Sequence, residues 1–342
     1  MAKPSKLGVA GRRLLQAVPA VFGIIVVTFL LTRALPGDPA VYFAGPAADA
    51  ASIQQVRESL GLDRSLPVQF MAYVGDLATG DLGRSLSTGQ PVTTDLAARL
   101  PASLELSLTA LLLALVVAVP LGILAATRPD SWVDHVCRFV VTAGVSLPTF
   151  FTGLVLVYVF YYLLDWAPAP LGRLDFMYVP PPQITGFYVF DALADLDPET
   201  ALAAFGQLAL PAITLALFTL APIARMTRGA MIQALGSEFV RTARAAGLSR
   251  RTVLLTYALR NALLPLVTTL GMVFSFMLGA NVLVEKVFAW PGIGSYAIEA
   301  LVVSDYAAVQ GFVLTMAILF VALNLIIDIA YTLIDPRMGI EA

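Results

Sequence analysis

Six stretches of this chain run for 18 residues or more without a single Asp, Glu, Lys or Arg. They are 14–32, 106–127, 139–164, 200–224, 261–284 and 306–327, with lengths of 19, 22, 26, 25, 24 and 22 residues. Each is rich in Leu, Val, Ala and Phe. A helix needs about 20 apolar residues to cross about 30 Å of hydrocarbon. Inside lipid only a helix or a closed barrel satisfies every backbone N–H and C=O, and runs this long fit helices. The windows predict an all-α polytopic membrane protein with six transmembrane helices. Only 13% of the residues are charged, against roughly 25% in soluble domains. That leaves too little polar surface for a cytosolic enzyme and too much apolar surface for a disordered chain. The first window follows Lys3, Lys6, Arg12 and Arg13, as a signal peptide would. Its apolar run is longer than a signal's, and Leu35-Pro36-Gly37-Asp38-Pro39 lacks a small-x-small cleavage pattern, so it reads as a retained helix.

Lys and Arg set the orientation. Residues 1–13, 128–138, 225–260 and 328–342 carry 14 of them in 75 residues, whereas 33–105, 165–199 and 285–305 carry 7 in 129. The first group is expected in the cytoplasm, with both termini, and the second outside. The outer segments 33–105 and 165–199 have net charges of −3 and −5. In the first, Asp49 to Leu60 and Pro67 to Leu77 show helical spacing between Gly and Pro breaks. In the second, Pro180-Pro181-Pro182 excludes a helix interior. Both read as parts of a folded outer cap.

The connection 225–260 holds seven Arg and one acid, Glu238, for a net charge of +6. Phe239, Ala243 and Ala246 recur at i, i+4, i+7 as a small apolar face. Glu238, Arg241 and Arg244 recur every three residues on another side, where Glu238 and Arg241 can pair. Gly247 is placed to stop the helix as a C′ glycine, and Ser249 to cap the next. That next helix runs through Arg251 toward Leu264. A helix, a glycine turn and a second helix follow. Two readings stand on the residues alone: an amphipathic stretch lying on anionic headgroups, and a knob that docks a partner protein.

The block Glu238 to Leu248, followed by Leu259 to Pro265, resembles the cytoplasmic loop of ABC-importer permeases, and most closely the dipeptide/oligopeptide/nickel group. Leu35-Pro36-Gly37-Asp38-Pro39, Leu60-Gly61-Leu62-Asp63 and Gly80-Asp81-Leu82-Gly83 are similar to further blocks of that family. So are Val284 to Gly294, Asn324, Asp328, Tyr331 and Asp335-Pro336-Arg337. Arg241 and Thr242 replace the Glu and Ala of the wider motif, and Arg260 stands where it has Pro. Ser304 and Ala307 depart from the Arg and Pro common around Asp305-Tyr306. The insert around Pro180 to Glu199 is longer than in the shortest members.

The resemblance implies a type I ABC importer fold. Two related permeases would pair as a heterodimer in the cell (inner) membrane, with two ATPases below and an external solute-binding protein delivering substrate. The cargo would be dipeptides or oligopeptides, with nickel complexes, glutathione or oligosaccharides as alternatives. The resemblance also implies that Glu238, Arg241, Thr242, Ala243, Arg244, Gly247 and Leu248 form the ATPase-coupling loop. Arg241, Arg244, Gly247 and Leu248 would make the contact, and Glu238 would pair locally. ATP and Mg would sit on the ATPases. This chain has no Gly-x-x-x-x-Gly-Lys-Ser/Thr to cradle phosphates.

Other residues carry weaker signals. Trp290, Tyr158, Tyr161, Tyr162 and Trp166 lie near outer span ends and fit an aromatic belt. Trp290, with Pro291 and Gly292, is also a candidate external gate or binding-protein contact. Glu105 and Asp328 border windows and are expected to pair or cap. Asn281, Ser275 and Asn324 are expected either to line a pathway or to bond between helices. Pro120, Pro148, Pro222 and Pro265 are expected to kink or end spans. The single Cys137 excludes an intrachain disulfide framework, and with the single His135 it cannot supply a four-ligand zinc site. Both read as structural. A net charge of −2 gives no basic field for nucleic acid. An ion-coupled transporter would need acids within the windows, and an intramembrane hydrolase would need His135 beside a Gly-x-Ser-x-Gly. Neither pattern is present.

Overall fold

The computed structural model describes residues 6–34, 38–45 and 47–334. Its regular elements are helices, with one isolated antiparallel bridge between Arg84 and Pro91. In chain order they are α1 (Lys6–Ala34), α2 (Pro39–Ala44), α3 (Ala50–Ser59), α4 (Leu66–Ala78) and α5 (Val92–Thr127). Then come α6 (Trp132–Val145), α7 (Thr149–Leu156), α8 (Tyr188–Ala194), α9 (Pro198–Leu235) and α10 (Glu238–Ala245). Last are α11 (Arg250–Thr252), α12 (Arg260–Val287), α13 (Ile293–Val302) and α14 (Tyr306–Ile334). Among the described residues, four helical runs are long and apolar enough to cross a membrane: Val92–Thr127, Pro198–Leu235, Arg250–Val287 and Tyr306–Tyr331. They contain the windows 106–127, 200–224, 261–284 and 306–327. The apolar part of α1, Val18–Ala34, and the run Thr149–Leu163 are shorter.

Local sequence explains where several helices start. Asp38, Asp49 and Asp197 accept hydrogen bonds from the N–H groups of Ala40, Ser52 and Thr200 at 3.0, 2.9 and 3.0 Å. Pro39 and Pro198 then occupy first-turn positions, where a missing N–H costs nothing. The prolines in the windows act differently from one another. Pro148 marks a true break, so the window 139–164 divides between α6 and α7, and a π-helical turn over Val157–Leu163 closes it. Pro120, Pro222 and Pro265 stay inside α5, α9 and α12. A second π-helical turn, Val253–Leu259, joins α11 to α12 without interruption.

The chain divides into two compact units. The larger is built on Leu104–Trp290 with the later part of α14. Its spine is α9, which packs along α12 and against α6, α7 and α8. The core there uses small residues: Ala114, Ala118, Ala216, Ala221 and Ala224 beside Val141, Leu220, Ile223, Leu266 and Val273. Small side chains let helix backbones approach closely, which strengthens dispersion where lipid offers no hydrophobic driving force. Gly122 shows the limit, since a Cβ there would lie 2.6 Å from Thr227 Cβ and 2.9 Å from the Ala224 carbonyl. Ser275 and Asn281 bond within α12, to the Gly271 carbonyl and the Glu285 carboxylate, both at 2.9 Å. The interhelical bond expected of them is not what these contacts are.

The smaller unit is built on Gly11–Ser103 and Pro291–Val321. Val92, Leu96, Ile293, Tyr296, Ala300 and Ala308 form its core. Asp305 organises it. One carboxylate oxygen accepts from Ser85 Oγ at 2.7 Å and Leu86 N at 2.6 Å, and the other accepts from Ala308 N at 3.2 Å. One acid therefore pins a loop 220 positions away and caps the first turn of α14.

Candidate functional site

Within the basic connection α9 continues to Leu235, and a separate short helix, α10, follows it. Helix α9 ends at Gly236, Ser237 starts α10 in an extended conformation, and α10 runs for eight residues. Val240 and Ala243 face inward and are buried against Leu235, Val253 and Tyr257. The buried stripe is thus Val240 with Ala243, and of the small apolar face Phe239, Ala243 and Ala246 only Ala243 is buried. Phe239 and Ala246 are exposed. At about 100° per residue, Val240 and Ala243 lie close together, while Phe239 and Ala246 turn to one flank. A β-branched Val seated on Leu235 and Tyr257 buries more apolar surface than Ala246 could.

The opposite face presents Glu238, Arg241, Thr242 and Ala245, all exposed, with Arg244 on the second flank. Arg241 Nη1 donates to Glu238 Oε1 at 2.7 Å, one helical step away. The pair is exposed on both sides and contributes a few tenths of a kcal/mol at most. Its effect is to hold Arg241 in one direction.

The helix ends as Gly247 requires. Leu248 N donates to the Ala243 carbonyl at 3.2 Å and Gly247 N to the Arg244 carbonyl at 3.0 Å, the two bonds of a Schellman motif. Gly247 has φ +76°, a value that costs other residues about 1–2 kcal/mol. Ser249 Oγ then accepts from Thr252 N at 3.2 Å and starts α11. A cavity of about 560 Å³ opens beside this turn, bounded by Arg244, Leu248 and Arg250 on one side and by Ala126, Ile232 and Leu254 on the other.

Upstream of α10, α9 is tied to α6. Arg228 donates to Asp134 twice, from Nε at 2.7 Å and from Nη2 at 2.6 Å. Arg138 lies 3.2 Å from the same carboxylate, and Asp130 N donates to it at 3.1 Å. The Arg228 hydrogen bonds, opposed by burial, hold the Asp134 carboxyl down at about 2 and push the Arg228 guanidinium up. His135 Nδ1 is 2.8 Å from Arg138, and Cys137 is buried, so both belong to this structural cluster. Nothing in the spacing foretold a pair 94 positions apart. The available hint was that Asp134 and Arg228 are charges just outside two windows.

The second group of candidates differs in exposure from residue to residue. Trp290 is fully enclosed in the larger unit, with the Arg173 guanidinium 6.0 Å from its ring. Pro291 is exposed, and Gly292 is a buried cap residue of α13 in the smaller unit. Glu105 pairs with Arg173 at 2.6 Å. The Asp328 side chain and Asp335-Pro336-Arg337 lie outside the described residues.

Apolar helices of membrane-crossing length, packed through Ala and Gly and followed by a short helix that carries exposed Arg side chains, define a multi-pass membrane protein. Comparison with known proteins gives its family. Residues 118–340 match the model of the binding-protein-dependent transport system inner membrane component, and 8–109 match the model of the N-terminal part of such components. The chain belongs to this family of ABC-importer permeases. It is 44% identical to a probable D,D-dipeptide transport system permease protein of Escherichia coli, over 94% of each chain. It is 39% identical to a dipeptide transport system permease protein of Alkalihalophilus pseudofirmus, over 97% of this chain and 99% of that one. It is also 42% identical to a di/tripeptide transport system permease protein of Pseudomonas aeruginosa, over 97% and 98%.

Proposed function

We propose that this chain is one of two transmembrane subunits of an ATP-driven importer for dipeptides or short oligopeptides. It pairs with a second, related permease. Six spans place both termini, and the connection 225–260, on the cytoplasmic side. Two ATPases that bind ATP and Mg sit there, and an external solute-binding protein delivers the peptide. The observation that carries this reading is the construction of α10. Its inner face is anchored by Val240 and Ala243, while Arg241 and Thr242 lie on the opposite face and Arg244 and Gly247 are exposed beside them.

The mechanism follows from that anchoring. Leu235 belongs to α9, and Val253 and Tyr257 belong to the π-helical turn that leads into α12. A displacement of α10 by an ATPase therefore loads two membrane helices at once. These two make the most extensive helix–helix packing in the larger unit. Small, close-packed interfaces shift as rigid bodies rather than deform, so closure of the ATPase dimer becomes a tilt of α9 and α12. The Asp134–Arg228 bond carries the same motion into α6.

Wild type and Gly247→Arg, each solubilised gently and captured through a tag, test the docking. An ATPase should copurify with wild type and be lost in the variant. Proteoliposomes of the complex should take up labelled Ala-Ala only with ATP and the binding protein. If wild type captures no ATPase in several detergents, the importer reading is overturned. If Gly247→Arg keeps both ATPase and transport, the contact lies elsewhere.

A further inference from the structure

The segment between α7 and α8 has a role that the docking helix does not explain. Its base is locked. Arg173 is buried, and its Nη2 donates to Glu105 at the head of the membrane-length part of α5 and to the Gly186 carbonyl, each at 2.6 Å. The Tyr188 ring stacks on the guanidinium, with the centroid 3.6 Å away. Glu105 also accepts from Val189 N at 3.0 Å. Asp191, buried as well, accepts from Thr185 N at 2.9 Å, Thr185 Oγ1 at 2.7 Å and Gly186 N at 2.8 Å. Burial would raise the Asp191 carboxyl, but these donors together hold it below its usual range. The bond between Arg173 and Gly186 closes a loop over 13 positions, the pattern of an Ω-loop with its ends pinned.

The tip of that loop is the reverse of its base. Asp175 starts a β-turn: Tyr178 N donates to its carbonyl at 3.0 Å and Met177 N to its carboxylate at 3.0 Å. The turn puts Phe176 and Met177 at the corner, where they are 87% and 80% exposed. Val179 follows, 82% exposed, and leads into Pro180-Pro181-Pro182, which stiffens the return strand. A rigid loop holding three large apolar side chains in solvent is a surface built to be covered.

We propose that this tip is the docking corner for the external solute-binding protein, on which Phe176, Met177 and Val179 enter an apolar depression rimmed by Lys or Arg. The proposal rests on the importer reading. Charge selects the occupant. Residues 165–199 carry a net charge of −5, and the one base, Arg173, is consumed internally. Asp165, Asp195 and Glu199, in the same outer segment, are exposed. An acidic surface is repelled by anionic lipid, and a loop whose backbone is not internally paired is excluded from hydrocarbon. An apolar centre with a charged rim suits a partner that binds and leaves in each cycle.

The test uses the complete complex in nanodiscs with the binding protein encoded beside it, loaded with Ala-Ala. The only cysteine, Cys137, is buried and is replaced by Ala to leave Met177→Cys as the single thiol. A maleimide–benzophenone probe on that thiol should crosslink to the binding protein. Phe176→Asp with Val179→Asp should raise the binding-protein concentration for half-maximal ATPase stimulation at least tenfold. Complex assembly, thermal melting and the unstimulated ATPase rate should not change. Crosslinks to lipid or to the second permease at saturating binding protein overturn the proposal. So does a half-maximal concentration within twofold of wild type. If the wild-type ATPase is not stimulated by the binding protein at all, the importer reading itself fails, and the docking corner fails with it.

Discussion

Asp134→Asn removes the charge that joins α6 to α9 while keeping the shape of the side chain. In the folded chain the carboxyl titrates at about 2, against an ordinary 3.8. At about 1.36 kcal/mol per pH unit the difference is about 2 kcal/mol of stability held at neutral pH. Its partner Arg228 remains partly open to solvent, at 25% exposure, so screening brings the expected coupling down to about 1 kcal/mol. The variant also leaves Arg228 and Arg138 facing each other across a neutral amide, which adds repulsion in the same direction. The pair is favourable enough to measure because it is bidentate and short, unlike an ordinary surface pair.

The assay is a double-mutant cycle of Asp134→Asn and Arg228→Gln on thermal unfolding of the purified chain in detergent. Each single variant should melt about 2 °C lower, and the double variant should lose less than the sum. The sign with pH is fixed by the lowered carboxyl. The contribution is fully present above about pH 4 and disappears as pH falls through about 2, so the gap between wild type and Asp134→Asn should close only in strong acid. A coupling below about 0.3 kcal/mol would refute the reasoning.

The remaining predictions concern packing and docking. Glu105→Gln breaks the buried ion pair with Arg173 and should cost about 3–5 kcal/mol, read as early protease cleavage within 173–186. Gly122→Leu forces a side chain into the close approach of α5 and α9, and should lower stability by about 1–3 kcal/mol or abolish membrane insertion of the folded chain. Val240→Ala should destabilise by about 1 kcal/mol because it empties a fully buried site beneath α10. Arg241→Gln should leave melting unchanged to within about 0.5 kcal/mol but weaken ATPase capture, since its pairing with Glu238 is largely exposed. Capture by Arg241→Gln equal to wild type would remove that side chain from the contact.

What the sequence made legible follows from the range of each interaction. The C′ role of Gly247, the cap at Ser249 and the Glu238–Arg241 pair all act within about one helical turn, so residue spacing was enough to place them. Helices α3 and α4 fall between their Gly and Pro breaks for the same reason. Which face of α10 is buried was not legible, because periodicity finds where apolar residues recur, not which recurrence has a neighbour. Val240 is buried since Leu235 and Tyr257 arrive beneath it, one from the helix before and one from the helix after. The same holds for Trp290. Its place near a span end suggested an interface, yet it is enclosed beside Arg173, a residue 117 positions earlier. The buried charges Asp134, Glu105 and Asp305 are the extreme case. Each looks like one more acid next to an apolar window, and each becomes a fixed point only when the fold brings it a donor from 68 to 220 positions away. In a chain with so few charges, desolvating one is tolerated only where several donors converge on it. These acids therefore mark fixed points of the fold, and the one at Asp134 and Arg228 lies one helical turn beyond the apolar part of α9.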